Sequence, residues 1–374
     1  MSDGWPEGWS RRDSRGAHDE RTAVYPQGNY GADPYGRGGP PPPGPRGGGR
    51  VYGRGRRRRR WPKILLTVII IIVVLIAALL VWLDLSMNRT NALEDYSGRP
   101  DDTPGTNWLM VGTDSRKGLD KAQRDKLATG KAAGQRTDTM MLLHIPESGD
   151  KPTLVSLPRD SWVPVPGHGH NKLNASFSIG GPQLLVRTIE NVTGIHLDHY
   201  MEINFAGFVD VVDAVGGVEM CVKHHLKDPK AGLNLKRGCH NLDGKDALGY
   251  VRTRHFANGD LERVKHQRQF VSALMHKATS PATLINPFRS IPLAINGSKA
   301  ITVDDGDHLW NMLPLANALG GMSSGELITT SVPYSGFGSS PTAGSYLIWN
   351  RTRALALFNA LKNDEPVPSE AIQH

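Results

Sequence analysis

Asp114 and Asp138 each stand beside the end of a short apolar run, at 108–112 and 139–145. Runs of this kind read as buried strands. Two carboxylates at neighbouring strand ends, with no histidine or cysteine beside them, suit a hard divalent cation, most often Mg2+. That ion takes one or two carboxylates, keeps several waters and binds substrate phosphates. Arg159 follows a third apolar run at 153–157, Arg252 and Arg254 stand two apart, and Arg263 stands four before Gln267. Guanidinium groups fork onto phosphate oxygens and never lose their charge. A divalent ion with a cluster of arginines has the chemistry of a pyrophosphate site. Each part also has an ordinary reading: an aspartate after a strand is commonly a turn former, and a single arginine is commonly in a surface ion pair.

The elements that must carry these groups alternate between strand and helix. Helices are predicted at 182–192 and 205–215, the second stopped by Gly216-Gly217 before a strand at 218–222. The pattern predicts an α/β sheet with helices on its faces, and such sheets collect functional groups at strand ends. Segment 250–254 is read as extended, which would point Arg252 and Arg254 to the same side. Asp260 would cap a helix over 261–277, with Leu261, Val264, Val271 and Met275 on its apolar side and Arg263 and Gln267 on another. Residues 117–135, charged and without an apolar face, read as an exposed loop with a fraying helix.

Residues 64–83 are twenty in a row without a charge, directly preceded by Arg56 to Arg60 and Lys63. Twenty residues make roughly 30 Å of helix, the thickness of a bilayer's hydrocarbon core. A block of arginine resists translocation. The expected organisation is a disordered, basic cytoplasmic tail at 1–63 and a single transmembrane helix at 64–83. A polar stalk at 84–105, an extracytoplasmic domain at 106–365 and a short C-terminal tail at 366–374 follow. No small-x-small cleavage site follows the apolar segment, so an uncleaved anchor in the cell membrane is the preferred reading. Of the tail's 63 residues, 23 are Gly or Pro, a composition that cannot bury a core.

The formal charge of +8 lies wholly in residues 1–63, which hold 14 Arg and Lys against 6 Asp and Glu; the remainder has 30 of each sign. A basic tail beside a membrane helix is an orientation signal that also sits on anionic lipid, and no nucleic acid is expected. The two cysteines, Cys221 and Cys239, both lie beyond the helix. An even count outside the cytoplasm predicts a disulfide, worth roughly 3 kcal/mol in the chain-entropy model.

Several motifs occur in order: Gly112-Thr-Asp-Ser-Arg116, Arg136-Thr-Asp138, Leu157-Pro-Arg-Asp160, Lys172-Leu-Asn-Ala175, Val215-Gly-Gly-Val218, Ala247-Leu-Gly-Tyr-Val-Arg-Thr-Arg254 and Gly259-Asp-Leu-Glu-Arg-Val-Lys-His-Gln267. The ordered set, over about 105–278, resembles the LytR–CpsA–Psr family of envelope proteins. The resemblance implies an αβα sandwich with a central mixed sheet and an apolar tunnel for a lipid tail. It also implies an enzyme that moves a glycopolymer, as a sugar-1-phosphate, from a polyprenyl pyrophosphate carrier to a muramic acid hydroxyl of peptidoglycan. By motif, Asp114 and Asp138 would hold Mg2+, and Arg159, Arg252, Arg254, Arg263 and Gln267 would hold the pyrophosphate. Arg116 and Asp160 would support them, and Asp138 or Asp260 could take the hydroxyl proton. The same residues would serve a pyrophosphatase in which water replaces the sugar. A non-enzymatic envelope regulator is the alternative from another class. The interval from Asp114 to Asp138 is longer than is usual in the family, which reads as an inserted, lid-like loop.

Overall fold

The computed structural model describes residues 61–115, 137–253, 260–322 and 324–373, with the backbone alone for 260–265. Residues 1–60 of the basic tail, Arg116, the loop at 117–135 and Arg254 lie outside the described residues, as do the side chains of Asp260 and Arg263.

Seven strands form one sheet: β1 (Asn88–Thr90), β2 (Thr106–Thr113), β3 (Thr137–Ile145), β4 (Thr153–Ser156), β5 (His199–Asn204), β6 (Ile301–Asp304) and β7 (Ile328–Ser331). Their order is β1-β6-β5-β2-β3-β4-β7. The sheet is mixed: β1–β6, β5–β2 and β4–β7 pair parallel, and the other neighbours antiparallel. Alternate residues of each strand feed opposite faces. Leu109, Val111, Met140 and Leu142 pack under α2 (Leu173–Thr193) and α8 (Arg351–Lys362), while Trp108, Met110, Met141 and Leu143 pack under α7 (Met312–Gly320). Met275 of α5 (Asp260–Ala278) packs against that second cluster. Burial on both sides explains why the central strands are near-continuous apolar runs. The result is the αβα sandwich with a central mixed sheet that the sequence predicts.

A side core builds α3 (Phe205–Ala214), α4 (Gly244–Arg252) and α5 around Val212, Val218, Leu242, Tyr250 and Phe270. Within it, strands at 218–222 and 238–242 pair in register at Cys221 and Cys239, which form the expected disulfide. A close backbone approach holds this core to the helix that ends at Ala300. A Cβ on Gly207 of α3 would stand 2.4 Å from the Ala300 carbonyl oxygen and 2.8 Å from its Cα. Gly207→Val is therefore expected to lower stability by about 1–3 kcal/mol, because only backbone could yield; a thermal melt beside the parent chain measures it.

The helix expected at 182–192 is the second half of α2. The first half begins at Leu173, and the two meet at a kink where Gly180 and Gly181 leave helical geometry and Pro182 restarts the helix. Segment 250–254 differs from its extended reading: residues 250–252 are the last turn of α4, and the chain extends only at Thr253. The signal for this helix was its cap, since the Asp243 side chain accepts from the Asp246 amide at 2.8 Å.

The apolar segment forms α1 (Trp61–Ser86), three residues longer at each end than 64–83, with mean hydropathy 3.7 over its most apolar stretch. It is long and apolar enough to cross a membrane, and only Leu83 and Asp84 in its last turn are buried. Two boundaries are corrected. Residues 84–105 are no stalk: Asn88 to Thr90 pair with β6, Ala92 is buried, and Asp304 accepts from the Ala92 and Leu93 amides, each at 2.8 Å. The tail at 366–374 is not loose either: Ala371 is fully buried and the Gln373 amide donates to Thr330 Oγ1. Both segments are held largely by hydrogen bonds to residues distant in the chain, as between Arg99 and Glu190 and between Arg353 and the Glu370 carbonyl.

Candidate active site

One end of the sheet gathers the predicted groups. β2 ends at Thr113 where β3 begins at Thr137, and Thr113 also pairs with Asn204, the last residue of β5. Asp114 follows directly. The register of β2 against β3 shifts between Gly112–Thr139 and Thr113–Thr137, so Asp138 is the extra residue of a bulge. A bulge re-aims the side chain it carries, and here that side chain is an aspartate at the sheet's rim. β4, antiparallel to β3, delivers Arg159 to the same end.

Arg159 is the centre of a charged chain. Its Nη1 donates to Asp138 Oδ1 at 2.5 Å, and its Nε reaches Asp160 Oδ2 at 3.3 Å. Lys172 Nζ closes the chain on Asp160 Oδ1 at 2.9 Å. Burial pushes the Asp160 carboxyl up, but the Lys172 hydrogen bond and the Arg159 and Lys172 charges outweigh it and hold the group below the usual carboxylate range. Asp160 thus stays anionic and supports Arg159. The sequence alone gives Lys172 no role. Its only signal was its place in the Lys-Leu-Asn-Ala motif that opens α2.

Arg252 reaches the same rim by another route. It ends α4, where the helix dipole favours a cation, and its guanidinium carbon lies 4.8 Å from the centre of the Phe205 ring. Phe205 opens α3 straight after β5. The next residue, Thr253, is fully buried and donates to Asp228 Oδ2 at 2.8 Å, which pins the chain between Arg252 and Arg254. Asp228 is a second positioning group that sequence spacing did not reveal. Thr253→Val keeps the shape and removes the donor, so a loss of about 1–3 kcal/mol is expected from a buried carboxylate short of one partner. Denaturant unfolding of the variant reads that loss.

Gln267 links two helices through its amide nitrogen. Nε2 donates to the Val251 carbonyl at 3.0 Å, tying α5 to the last turn of α4. The structure thus brings Asp114, Asp138, Arg159 and Arg252 to one end of the sheet, and ties Gln267 to the residue before Arg252. Behind Asp114, the buried Thr113 hydroxyl donates to Glu202 Oε1 at 2.8 Å, and Glu202 also accepts from Tyr200 at 3.1 Å. These bonds fix the strand end from which Asp114 projects.

The donor set fits a hard cation. Asp114 directly follows β2 and Asp138 lies in the adjacent β3, so two oxygen donors stand at neighbouring strand ends, and magnesium needs few protein ligands when phosphate supplies the rest. A cavity of about 770 Å³ lies elsewhere, against α5 and β7. It is lined by Arg268, His276, Lys277, Met322, Leu327 and Thr329 among others. Burial pushes the Arg268 guanidinium down. Its lining mixes polar and apolar side chains.

Comparison with known proteins follows the same lines. The model of the LytR_cpsA_psr family matches residues 84–363. LcpB of Corynebacterium glutamicum, a probable cell wall biosynthesis protein, is 47% identical over 283 residues, covering 75% of this chain and 66% of that protein. A polyisoprenyl-teichoic acid–peptidoglycan teichoic acid transferase of Bacillus subtilis, TagT, is 34% identical over 183 residues, 47% of this chain and 53% of TagT. The chain thus spans about two thirds or less of the length of these relatives. A solved LytR-Csp2A-Psr enzyme from Actinomyces oris superposes with a TM-score of 0.58 at 24% identity, over 74% of this chain and 96% of that one, a likeness of fold.

Proposed function

The chain belongs to the LytR–CpsA–Psr family, and from that premise we propose that it is a membrane-anchored phosphotransferase of the cell envelope. Its donor is a glycopolymer on a polyprenyl pyrophosphate, its acceptor a muramic acid hydroxyl of peptidoglycan, and the departing group polyprenyl phosphate. The observation that carries this reading is the convergence of Asp114, Asp138, Arg159 and Arg252 on one end of the sheet, from four different elements. A diphosphate carries several negative charges, and its cleavage needs them neutralised while the acceptor oxygen attacks in line. Arg159 is held by its two aspartates so that its fork is fixed before substrate arrives, and Arg252 is oriented by Phe205. Such preorganisation supplies most of what phosphoryl transfer asks of a protein.

Asp114 and Asp138 would hold magnesium, which supplies charge neutralisation on the phosphate oxygens when bound. Arg254 and Arg263 complete the proposed phosphate set by motif, and Arg116 supports it. Asp138 or Asp260 takes the proton from the acceptor hydroxyl. Helix α1 is proposed as a single-pass anchor with the N-terminus cytoplasmic and the domain outside, which confines the enzyme to the surface where a lipid-linked donor resides.

Product analysis with a lipid-linked donor and a peptidoglycan acceptor tests the reading. Polymer joined covalently to peptidoglycan is the expected product. Free phosphorylated sugar alone would replace the transferase with a pyrophosphatase.

A further inference from the structure

The exposed apolar surface outside α1 is not scattered. Most of its large side chains lie in two short stretches: Leu284, Ile285, Phe288 and Ile291 in one, Trp310 and Leu313 in the other. Phe288 is 88% and Ile285 80% exposed. Single exposed apolar residues are ordinary, but a cluster of them marks a surface that meets something.

Both stretches belong to elements that grip the end of α1. The first runs into helix α6 (Pro287–Ala300), whose Ser298 hydroxyl lies 2.9 Å from the Ser86 hydroxyl. Lys299 stands over the Trp82 ring at 5.9 Å, and its carbonyl accepts from Asn88 Nδ2 at 2.8 Å. The second stretch begins in the one-turn helix Leu309–Asn311, whose first amide donates to Asp84 Oδ1 at 2.8 Å. His308 bonds the same carboxylate at 3.1 Å and stacks on Trp310 with ring centres 4.2 Å apart. Helix α1 passes into the edge strand β1 after one residue, Met87, which is itself buried. No flexible joint separates the apolar helix from the domain, so whatever surrounds α1 also meets the surface beside its exit.

We infer that these two stretches form a collar that rests in the interfacial layer of a lipid bilayer. The inference builds on the reading of α1 as a membrane anchor. The chemistry fits that occupant. Indole and phenyl rings favour the depth of the headgroups, and Arg289 and Lys299, both exposed, add positive charge that anionic headgroups attract. The collar also sets the height of the active site. Asn88 pairs with Thr302, Thr302 with Glu202 and Glu202 with Val111. The anchor's attachment is therefore level with a residue three before Asp114, and three strands away, about 14 Å across the sheet. A collar at the headgroups keeps the site within reach of a diphosphate on a lipid.

The test uses the full chain in nanodiscs of anionic lipid. Both native cysteines are in the disulfide, so a single introduced cysteine takes a fluorescent label cleanly. Labels are placed at Phe288→Cys and Trp310→Cys, at Leu355→Cys on α8 as a control, and at Ile71→Cys within α1. Spin-labelled lipid and aqueous iodide serve as the two quenchers. Labels at 288 and 310 are expected to be quenched by the lipid at least about twofold more than the label at 355. If both are open to iodide and untouched by the lipid quencher while Ile71→Cys is quenched by it, the collar is overturned and the anchor stands. If Ile71→Cys also escapes the lipid quencher, the anchor reading falls and takes the collar with it. Shielding of 288 and 310 from both quenchers would mean that protein, such as a second copy, covers the surface, which also overturns the collar.

Discussion

Alanine at Asp138 is expected to lower the transfer rate by about 10²–10⁴-fold while leaving the fold intact. The side chain is 39% exposed and belongs to no apolar cluster, so stability has little stake in it. Its chemistry has two. It is one of the two carboxylates proposed to hold the divalent ion, and it holds the Arg159 guanidinium at 2.5 Å. Asp138→Asn separates these roles, because the amide oxygen still accepts from Arg159 while the charge is gone. Loss as large as in the alanine variant assigns the effect to the cation and the phosphate. Recovery to within about tenfold of the parent would reduce Asp138 to an orienting group.

The second large effect is expected at Arg252. Removing the guanidinium in Arg252→Ala should cost about 10²–10³-fold in kcat/KM. Arg252→Lys keeps one positive charge at the end of α4 but loses both the fork and the flat face that lies over Phe205. About 10- to 100-fold of the loss should therefore remain in the lysine variant. Steady-state kinetics over a range of donor concentrations separates a KM effect, which marks binding of the diphosphate in the ground state, from a kcat effect, which marks contact with the transferring group. A lysine variant equal to the parent would show that charge alone is used there, and that the stacking on Phe205 is incidental.

Legibility in the sequence followed local signals. β2, β3 and β4 announce themselves as apolar runs because both of their faces are buried under helices, and Asp114 and Arg159 could be placed at their ends for the same reason. The bulge at Asp138 was not legible, since it depends on how β2 and β3 are matched in space. Segment 250–254 was misread because glycines at 244 and 249 weaken its helical pattern. Those glycines are there for packing: a Cβ at Gly244 would stand 2.6 Å from the Val209 carbonyl oxygen, and one at Gly249 3.0 Å from that of Ala231. Residues 84–105 were misread for a related cause. Their order comes from β6 and Asp304, more than two hundred residues away in the chain, and from Glu190 and Leu197, and no local pattern encodes such partners. The same holds for Lys172 and Asp228, which act on the site through Asp160 and Thr253.

The most direct measurement is a crystal structure of the chain soaked with a short-chain polyprenyl pyrophosphate and Mg2+. A diphosphate is expected at the rim of the sheet, between the carboxylates of Asp114 and Asp138 and the guanidinium groups of Arg159 and Arg252, with the metal on the carboxylate side. A diphosphate seated instead in the cavity beside Arg268 and Lys277, with the rim empty, would contradict it.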